Sequence, residues 1–413
     1  MKYTKVAVLL GLLVLLGACD NSSQPKGQST ETISESSYQE VLQTQLLDAK
    51  AGDVITIPAG KHSFNRSLSL SVDGVTIRGE GMDKSILSFS QQVAGAEGLL
   101  VTASDFTLED LAIEDTIGDA LKISEGNNII VRRVRTEWTN GHSTKNGAYG
   151  IYPVQTTNVL MEENVAIGAS DAGIYIGQSK NVIVRNNRAE FNVAGIEIEN
   201  TLNADVYNNV ATNNTGGILV FNMPNLPQEG KYTRIFNNKV YSNNTDNFGH
   251  AGTPVASVPA GSGIIVNSND HVEIFNNEVS DNETANVIIS SVYSANYSDF
   301  EAVEGYDPYP EAIYIYGNTF SGGGNSPDGL DLKALKIAMF GLTGTLPDVL
   351  WDGYYNSERF SNGEWADDQR ICINNGDAAM LNADSPNGNK NPAVDMSNHN
   401  CDLKKLPEIT LQL

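Results

Sequence analysis

The stretch Gly-Ile-Tyr-Ile at 173–176 returns as Gly-Ile-Glu-Ile at 195–198 and as Gly-Ile-Leu-Val at 217–220, a step of 22 residues. A fixed period of this order is typical of repeat architectures. Short alternating strands and Asn-rich turns fill each period, and three strands with three corners fit its length. The sequence therefore predicts a parallel β-solenoid, in which stacked coils replace a single globular core.

A second repeat marks one corner of each coil. In six successive coils an Asn ends a phrase of the form Val/Ile/Met-x-Asn/Gly/Glu-Asn: Asn164, Asn187, Asn209, Asn238, Asn277 and Asn318. Stacked Asn side chains hydrogen-bond to one another and to the corner backbone, and Asn tolerates left-handed backbone angles. Such ladders occur in right-handed parallel β-helices. We therefore predict an all-β, right-handed parallel β-helix with coils of about 22 residues.

The N-terminal end differs from the repeat. Residues 1–18 join a basic start to an apolar run too short to span a bilayer, and small residues precede Cys19. This pattern predicts a lipoprotein signal peptide, lipidation of Cys19 and a flexible tether over 19–36. We expect a bacterial cell-envelope protein, lipid-anchored and facing the periplasm or the cell surface. Asp20 favours inner-membrane retention under the sorting rules of enteric bacteria.

Both ends of the coil stack should be capped. Residues 36–49 have helical spacing, and a helix there would cover the open end of the first coil as an N-terminal helical cap. We assign 37–321 to the β-helix and 322–413 to further coils and an irregular C-terminal cap. Because an exported protein meets an oxidising compartment, Cys372 and Cys401 are expected to form a disulfide.

The charge limits the partners. The chain has 26 basic and 50 acidic side chains and a formal net charge of −24, which disfavours nucleic acid and anionic membrane surfaces and leaves membrane contact to the lipid anchor. Residues 118–190 are locally near neutral, so a polyanionic ligand is compatible there. No cofactor is predicted, since the five histidines are scattered, with no pair at metal-ligand spacing. An acidic corner could take Ca²⁺.

Insertions point to one sheet as the functional face. They interrupt the period at four places, none at the Asn corner: 136–147, 222–232, 245–261 and 291–311. All lie just before or after the Gly-Ile-x-Ile strand, so they would wall a groove above its sheet. The open floor of that groove should run from Lys122 to Glu197. The outward row becomes aliphatic from Leu219 onward, and the later insertions should cover that part.

The polar part of this row predicts a polysaccharide site, because aromatic faces stack on sugar C–H faces and acids accept sugar hydroxyls. The candidate catalytic residues are Tyr175, Glu197, Asp171 and Lys122. The candidate substrate-binding residues are Tyr152, Tyr149, His142, Lys145 and Glu199. No metal-ligating residue is proposed.

Three interpretations of this row stay open. Glu197 with Asp171 could form an acid/base pair of the glycosidase kind, and Tyr175 or Tyr152 with Lys122 could abstract the proton beside a uronate carboxyl. An enzyme would then be a glycoside hydrolase, a polysaccharide lyase or a uronate epimerase. Alternatively, the groove binds a glycan or another envelope protein without turnover, as a non-catalytic interaction or scaffold protein. In the third interpretation the row is only the solvated face of a sheet.

Four phrases carry a family resemblance: Gly-Ile-Tyr-Pro-Val-Gln at 150–155, Gly-Ala-Ser-Asp-Ala-Gly-Ile-Tyr-Ile-Gly-Gln at 168–178, Ala-Gly-Ile-Glu-Ile-Glu-Asn at 194–200 and Asn-Asn-Thr-Gly-Gly-Ile-Leu-Val-Phe at 213–221. The stretch 146–292 around them resembles a family of exported bacterial parallel β-helix repeat (lipo)proteins in the pectin-lyase-like superfamily. The resemblance implies the fold, lipoprotein export and the repeat type. It assigns no catalytic residue, although the wider superfamily includes pectate lyases, polygalacturonases and uronate epimerases.

Overall fold

A computed structural model describes residues 35–294, 305–361 and 364–413. Over these ranges the chain winds into stacked coils, and a full coil gives one strand to each of three parallel layers, called sheets I, II and III. The predicted signal peptide, tether and lipidation site at Cys19 lie outside the described residues.

Sheet I contains the Gly-Ile-x-Ile strands. Its parallel strands are Arg66–Leu70, Ala94–Val101, Asp119–Ser124, Tyr149–Val154, Ala172–Gly177, Ala194–Glu199, Gly216–Phe221, Ser262–Asn267, Ala285–Ser290, Val349–Trp351 and Met380–Asn382, and Ala393–Val394 adds an antiparallel edge.

Sheets II and III follow along each coil and meet at the Asn corner. The strands of sheet II are Val54–Thr56, Thr76–Arg78, Thr157–Glu162, Lys180–Arg185, Leu202–Tyr207, Lys231–Phe236, Asp270–Phe275, Ile313–Tyr316 and Ile371–Asn374. Those of sheet III are Gly60–Ser63, Ser85–Ser88, Val165–Ile167, Arg188–Glu190, Val210–Thr212, Lys239–Tyr241, Glu278–Ser280 and Thr319–Ser321. The long strands Phe106–Glu114 and Asn127–Glu137 turn the corner and join the two layers into one hydrogen-bonded sheet.

The remaining elements cap or decorate the coils. They are the α-helices Glu35–Asp48 and Leu330–Phe340, the 3₁₀ turns Pro254–Ser257, Ser357–Arg359, Asp367–Gln369 and Ser385–Asn387, and the hairpin of Phe360–Ser361 with Glu364–Trp365. Among the described residues, no helix is long and apolar enough to cross a membrane.

The core is a set of apolar files inside the coils. Ile174 lies beside Ile151 in one neighbouring coil and beside Ile196 in the other, and all three are fully buried. Neighbouring strands lie about 4.8 Å apart, so each inward side chain stacks on its counterpart. The predicted parallel β-helix is confirmed.

The predicted Asn ladder is present at the corner between sheets II and III. Asn187 Nδ2 donates to Asn209 Oδ1 of the following coil at 2.9 Å and to the backbone carbonyl of Met161 in the preceding coil at 3.0 Å. The left-handed angle belongs to the preceding residue, as at Asn208 with φ 55°. The ladder Asn therefore satisfies the corner's hydrogen bonds, while its neighbour makes the turn.

A second Asn ladder, which sequence reasoning missed, stands at the corner between sheets III and I. Asn192, Asn214, Asn243 and Asn282 are joined side chain to side chain at 3.0–3.1 Å. These residues are fully buried. Asn192, Asn214 and Asn282 lie just before the sheet I strands Ala194–Glu199, Gly216–Phe221 and Ala285–Ser290. They fix the point at which these strands begin, and hence the register of the outward row there.

Both ends are closed. The helix Glu35–Asp48 buries Leu42 and Leu46 against the first coil, and Gln43 exchanges two hydrogen bonds of 3.1 Å with the backbone of Ser69. Past residue 321, strands still join sheets I and II, so the C-terminal region begins with regular coils.

The C-terminal end is tied to the coil stack. Cys372, in the last strand of sheet II, is bonded to Cys401. Beyond this disulfide, Leu406 N donates to Glu273 Oε1 at 2.9 Å, so the final segment lies on the outer face of sheet II.

Candidate functional site

The outward row of sheet I divides into two parts, as the sequence predicted. Lys122 lies beside Tyr152, and Tyr175 lies beside Glu197 in the next coil and then Leu219. We call the polar part, together with neighbouring side chains, the tyrosine–carboxyl cluster, which consists of Asp119, Lys122, Tyr149, Tyr152, Asp171, Tyr175, Glu197 and Glu199.

Three tyrosine rings form the centre of the cluster. The ring centroids of Tyr149 and Tyr152 are 4.5 Å apart, and Tyr175 lies 4.7 Å from the first and 4.9 Å from the second. Lys122 Nζ lies 5.1 Å from the centroid of the Tyr152 ring, within the range of a cation–π contact. The contacts fix the rings, and Tyr149 and Tyr152 remain half-exposed.

Tyr175 orients a carboxylate. Its hydroxyl donates to Glu199 Oε1 at 2.6 Å, and Gln178 Nε2 donates to the same two oxygens at 3.2 and 3.3 Å. Burial, followed by the charge of Glu199, raises the pKa of Tyr175 well above its usual value. Since Tyr175 is only 4% exposed, its proton stays on the oxygen, and the residue positions Glu199.

Glu197 is a carboxyl group without a compensating charge. It is 1% exposed, and its Oε2 has no hydrogen-bond partner among the described residues. Burial, then the charges of Asp171 and Glu199, raise the pKa of Glu197 well above its usual value. The protonated form is therefore favoured, because an isolated buried carboxylate is costly.

Asp171 and Asp119 complete the acidic set. Burial, with the charges of Glu199 and Asp119, raises the pKa of Asp171 to about 8, although a hydrogen bond from Tyr149 opposes the shift. Burial raises the pKa of Asp119 to about 6 against the opposing charge of Lys122. Carboxyl groups so close in a buried site cannot all ionise, so the cluster holds exchangeable protons near neutral pH.

The floor of the predicted groove is not open over its whole length. Lys122, Tyr149, Tyr152 and Glu199 are half-buried and reach the surface. Glu197, Tyr175 and Asp171, expected on the open floor or beside it, are buried, because their layer packs with the apolar side chains of neighbouring coils. The structure gathers seven of the nine candidates and buries three of them.

His142 and Lys145 lie on the insertion 136–147, and the described contacts of the tyrosine–carboxyl cluster do not include them. The exposed His142 ring packs on Phe248 at 5.1 Å and lies parallel to Phe191 at 6.4 Å, which links the insertions 136–147 and 245–261. Lys145 is exposed on the first of these. Their role in lining the groove stays a prediction.

The aliphatic part of the row is covered, as expected. Leu219 is fully buried, and Ile265 and Ile288 are nearly so, in an outer apolar cluster with Val255 and Val258 of the insertion 245–261. A walled cavity of about 510 Å³ lies over the later coils, between this insertion and the start of the helix Leu330–Phe340. The walls therefore rise beside the aliphatic part.

A further acidic group lies at the edge of sheet II. One carboxylate oxygen from each of Asp270, Asp307 and Glu311 lies within 4.8 Å of the others, and they are the residues, within the described ranges, that could hold a cation such as Ca²⁺. Lys231 Nζ already lies 3.3 Å from Asp270, and Arg359 lies 2.6 Å from Glu311. The group is dispersed in the chain, so no local motif marks it.

Comparison with known proteins agrees with this architecture. The family model described as "Right handed beta helix region" matches residues 69–226. The A-module of the mannuronan C-5 epimerase AlgE4 of Azotobacter vinelandii aligns over 83% of this chain and 90% of its own, with 17% identity and a TM-score of 0.52. No curated protein matches the sequence.

Two further solved structures are more distant. The AlgE6 A-module of the same organism gives 17% identity and a TM-score of 0.49, over 83% of this chain and 88% of its own. Tailspike protein 2 of bacteriophage CBA120 gives 9% identity and a TM-score of 0.48, over 75% and 43%. At these identities the likeness concerns the fold. The chain is therefore a right-handed parallel β-helix protein.

Proposed function

We propose that the protein binds a polysaccharide along sheet I and modifies its uronate residues at the tyrosine–carboxyl cluster, as an epimerase or a lyase. One observation carries this proposal: buried carboxyl groups with raised pKa values stand beside half-exposed phenols and one lysine. A fold shared with a module named as a mannuronan C-5 epimerase supports it. Export and a lipid anchor at Cys19 are further proposals, which rest on the sequence pattern alone.

Epimerisation or elimination of a uronate requires stabilisation of negative charge at the substrate's carboxylate. The proton on the neighbouring carbon is weakly acidic, because its removal adds negative charge beside an anion. Lys122 would offset that charge, and the protonated Asp171 would donate a hydrogen bond to the substrate's carboxylate. Neutral carboxyl groups would also spare an incoming polyanion the repulsion of an ionised cluster.

Different environments divide the acid and base roles. Asp119, with a pKa of about 6, is mainly ionised at neutral pH and would accept the proton from C5 of the sugar. Burial raises the pKa of Tyr152 to about 12, so its phenol stays protonated and would act as the acid. In epimerisation Tyr152 gives its own proton to the opposite face of C5. In elimination it goes to the leaving glycosidic oxygen, the C4–O bond breaks and a C4–C5 double bond forms.

The glycosidase pair has less support. Glu197 is 1% exposed, so one member of this pair does not reach the surface where a sugar and an attacking water would lie. The second candidate function is to bind a glycan or another envelope protein without turnover. The walled cavity over the aliphatic part of sheet I favours it.

The test incubates the protein with polymannuronate, polyguluronate and polygalacturonate in D₂O, with and without Ca²⁺. Deuterium at C5 without chain cleavage identifies an epimerase, unsaturated uronate a lyase, and new reducing ends alone a hydrolase. Tyr152→Phe and Asp119→Asn should each lower turnover about 100-fold, the scale of lost acid or base catalysis. Tyr207→Phe is the matched control, since Tyr207 stacks on Phe236 in sheet II, and it should keep full activity.

Two results would contradict the proposal. Binding of these polymers without turnover would favour the non-catalytic function. Turnover that survives both variants would move the chemistry away from the cluster.

A further inference from the structure

One backbone position recurs at the start of the sheet II strands in the left-handed conformation. Its φ lies between 51° and 67° in eight coils, at Asp105, Asn128, Asn158, Asn181, Asn203, Tyr232, His271 and Ala312. Four consecutive members, from Asn128 to Asn203, are Asn, which tolerates this conformation. Their side chains form an external ladder, with Asn158 Nδ2 donating to Asn128 Oδ1 at 3.1 Å and Asn203 to Asn181 at 3.2 Å.

Tyr232 and His271 break this pattern. Tyr rarely adopts positive φ, so the Tyr232 ring occupies a position where an Asn would be less strained. At both positions an Asn could extend the ladder. The two rings stack at 4.9 Å with an angle of 21° between their planes, and Tyr232 is 41% exposed. The corner does not need these rings, and they form a platform that faces outward.

The platform borders a cavity of about 860 Å³. The C-terminal segment 402–410 forms the facing wall. That wall is fixed by the hydrogen bond from Leu406 to Glu273 and by the Tyr314 hydroxyl, which donates to Asp402 at 2.6 Å. The cavity therefore lies between sheet II and the C-terminal segment, and these two hydrogen bonds join them.

The chemistry of the lining selects a ligand class. Beside the rings, Asn203, Glu273, Asp368 and Asp402 offer amide and carboxylate oxygens, which accept hydrogen bonds from hydroxyl groups. Lys404 and Lys405 also belong to this lining, and Lys405 is already held over the Tyr316 ring at 4.5 Å. With Glu408, the carboxylates of the lining outnumber the two lysines. The carboxylates disfavour an anion, and a flat ring face suits the C–H face of a pyranose.

We propose that this cavity is a second carbohydrate-binding site, which takes an uncharged, hydroxyl-rich sugar unit of a polysaccharide. This second site lies on sheet II, and it would bind the polymer at a place separate from the tyrosine–carboxyl cluster of sheet I. It does not depend on the reaction proposed there.

The test uses Tyr232→Asn. Asn suits the left-handed backbone and is the residue at this position in four other coils, so the fold is retained while the platform loses its exposed ring. The matched control is Tyr232→Phe, which keeps the ring. Binding is measured by titration calorimetry with soluble uncharged glucans, mannans and galactans, and with polymannuronate as the anionic comparison. Circular dichroism and a thermal midpoint check the fold.

We expect at least one uncharged polymer to bind, Tyr232→Asn to weaken that binding about tenfold, or about 1.4 kcal/mol, and Tyr232→Phe to leave it within about twofold. Polymannuronate binding should be unchanged in both variants. The proposal is overturned if no uncharged polymer binds, if Tyr232→Asn binds like the wild type, or if polymannuronate loses affinity equally. Turnover at sheet I is scored separately with Tyr152→Phe, so either proposal can fail alone.

Discussion

Asp171→Asn should make the protein more stable at neutral pH, although it removes a candidate catalytic residue. The pKa of Asp171 is raised by burial to about 8, against an ordinary value of 3.8. A group whose pKa is raised by folding contributes stability below its unfolded pKa, and that contribution is lost as pH rises toward the folded value. The carboxyl group therefore weakens the fold progressively between about pH 4 and pH 8.

The magnitude follows from the two pKa values. At pH 7 the unfolded carboxyl is ionised and the folded one is still mainly protonated. The contribution of Asp171 to the free energy of unfolding is therefore about 4 kcal/mol lower than below pH 4, which corresponds to about 3 pKa units at 1.36 kcal/mol per unit. Asn has the same shape and does not titrate, but it alters the hydrogen bond with Tyr149, which is worth about 1 kcal/mol. The variant should gain about 3 kcal/mol at pH 7 and lose up to about 1 kcal/mol at pH 4, where only the altered hydrogen bond counts.

Urea unfolding followed by circular dichroism between pH 4 and pH 8 measures this difference. Glu109→Gln is the matched control. Glu109 is 1% exposed against 8% for Asp171, and although burial acts to raise the pKa of Glu109, hydrogen bonds from Arg78 and Arg132 hold it below the usual value. That variant should lose stability at pH 7, and the loss should shrink as pH falls. If Asp171→Asn and the wild type show the same pH dependence, Asp171 is ionised in the folded protein and the neutral-acid chemistry proposed for the cluster is wrong.

Three further predictions concern the fold around the site. Asn209→Ala breaks four side-chain hydrogen bonds and leaves a buried carbonyl and a buried N–H of the neighbouring coil without partners. It should cost about 4 kcal/mol in urea unfolding, against about 1 kcal/mol for Asn208→Ala, which alters only the left-handed residue; equal losses would deny the ladder its role. Cys401→Ser opens a loop with a sequence separation of 29 and should cost about 3 kcal/mol, and unchanged thermal unfolding would show that the C-terminal end is held by other contacts. Leu219→Ala should cost about 3 kcal/mol although Leu219 points away from the coil interior, whereas a loss below about 1 kcal/mol would mean that the outer apolar layer is loose.

The coil architecture was predictable because its determinants repeat in the sequence. Ile174, Ile196 and Ile218 recur at a fixed step beside a glycine, and the Asn corner recurs in six coils. The second Asn ladder was equally present but not recognised, because the residues after Asn192 and Asn214 differ. The late strands of sheets I and II carry no Gly-Ile-x-Ile phrase, and irregular segments separate them.

The candidate site was predictable in register but not in depth. Strand alternation correctly directs both Lys122 and Glu197 outward from the coil, yet Lys122 is half-exposed and Glu197 is 1% exposed. Depth depends on how insertions and neighbouring rings pack over the sheet, and the insertions have no repeat from which to infer it.

Two buried glutamates show that the acidic cluster is not a by-product of the fold. Glu109 and Glu197 both point outward from a sheet and are both 1% exposed. Glu109 accepts hydrogen bonds from Arg78 and Arg132, whereas Oε2 of Glu197 has no partner among the described residues. At Glu109 the β-helix therefore holds a buried acid whose charge is compensated by arginines, and Glu197 lacks such a partner among the described residues. A site that breaks a rule obeyed elsewhere in the same protein is where a selective advantage other than stability is expected, and protonated acids beside phenols are an arrangement that proton-transfer chemistry can use.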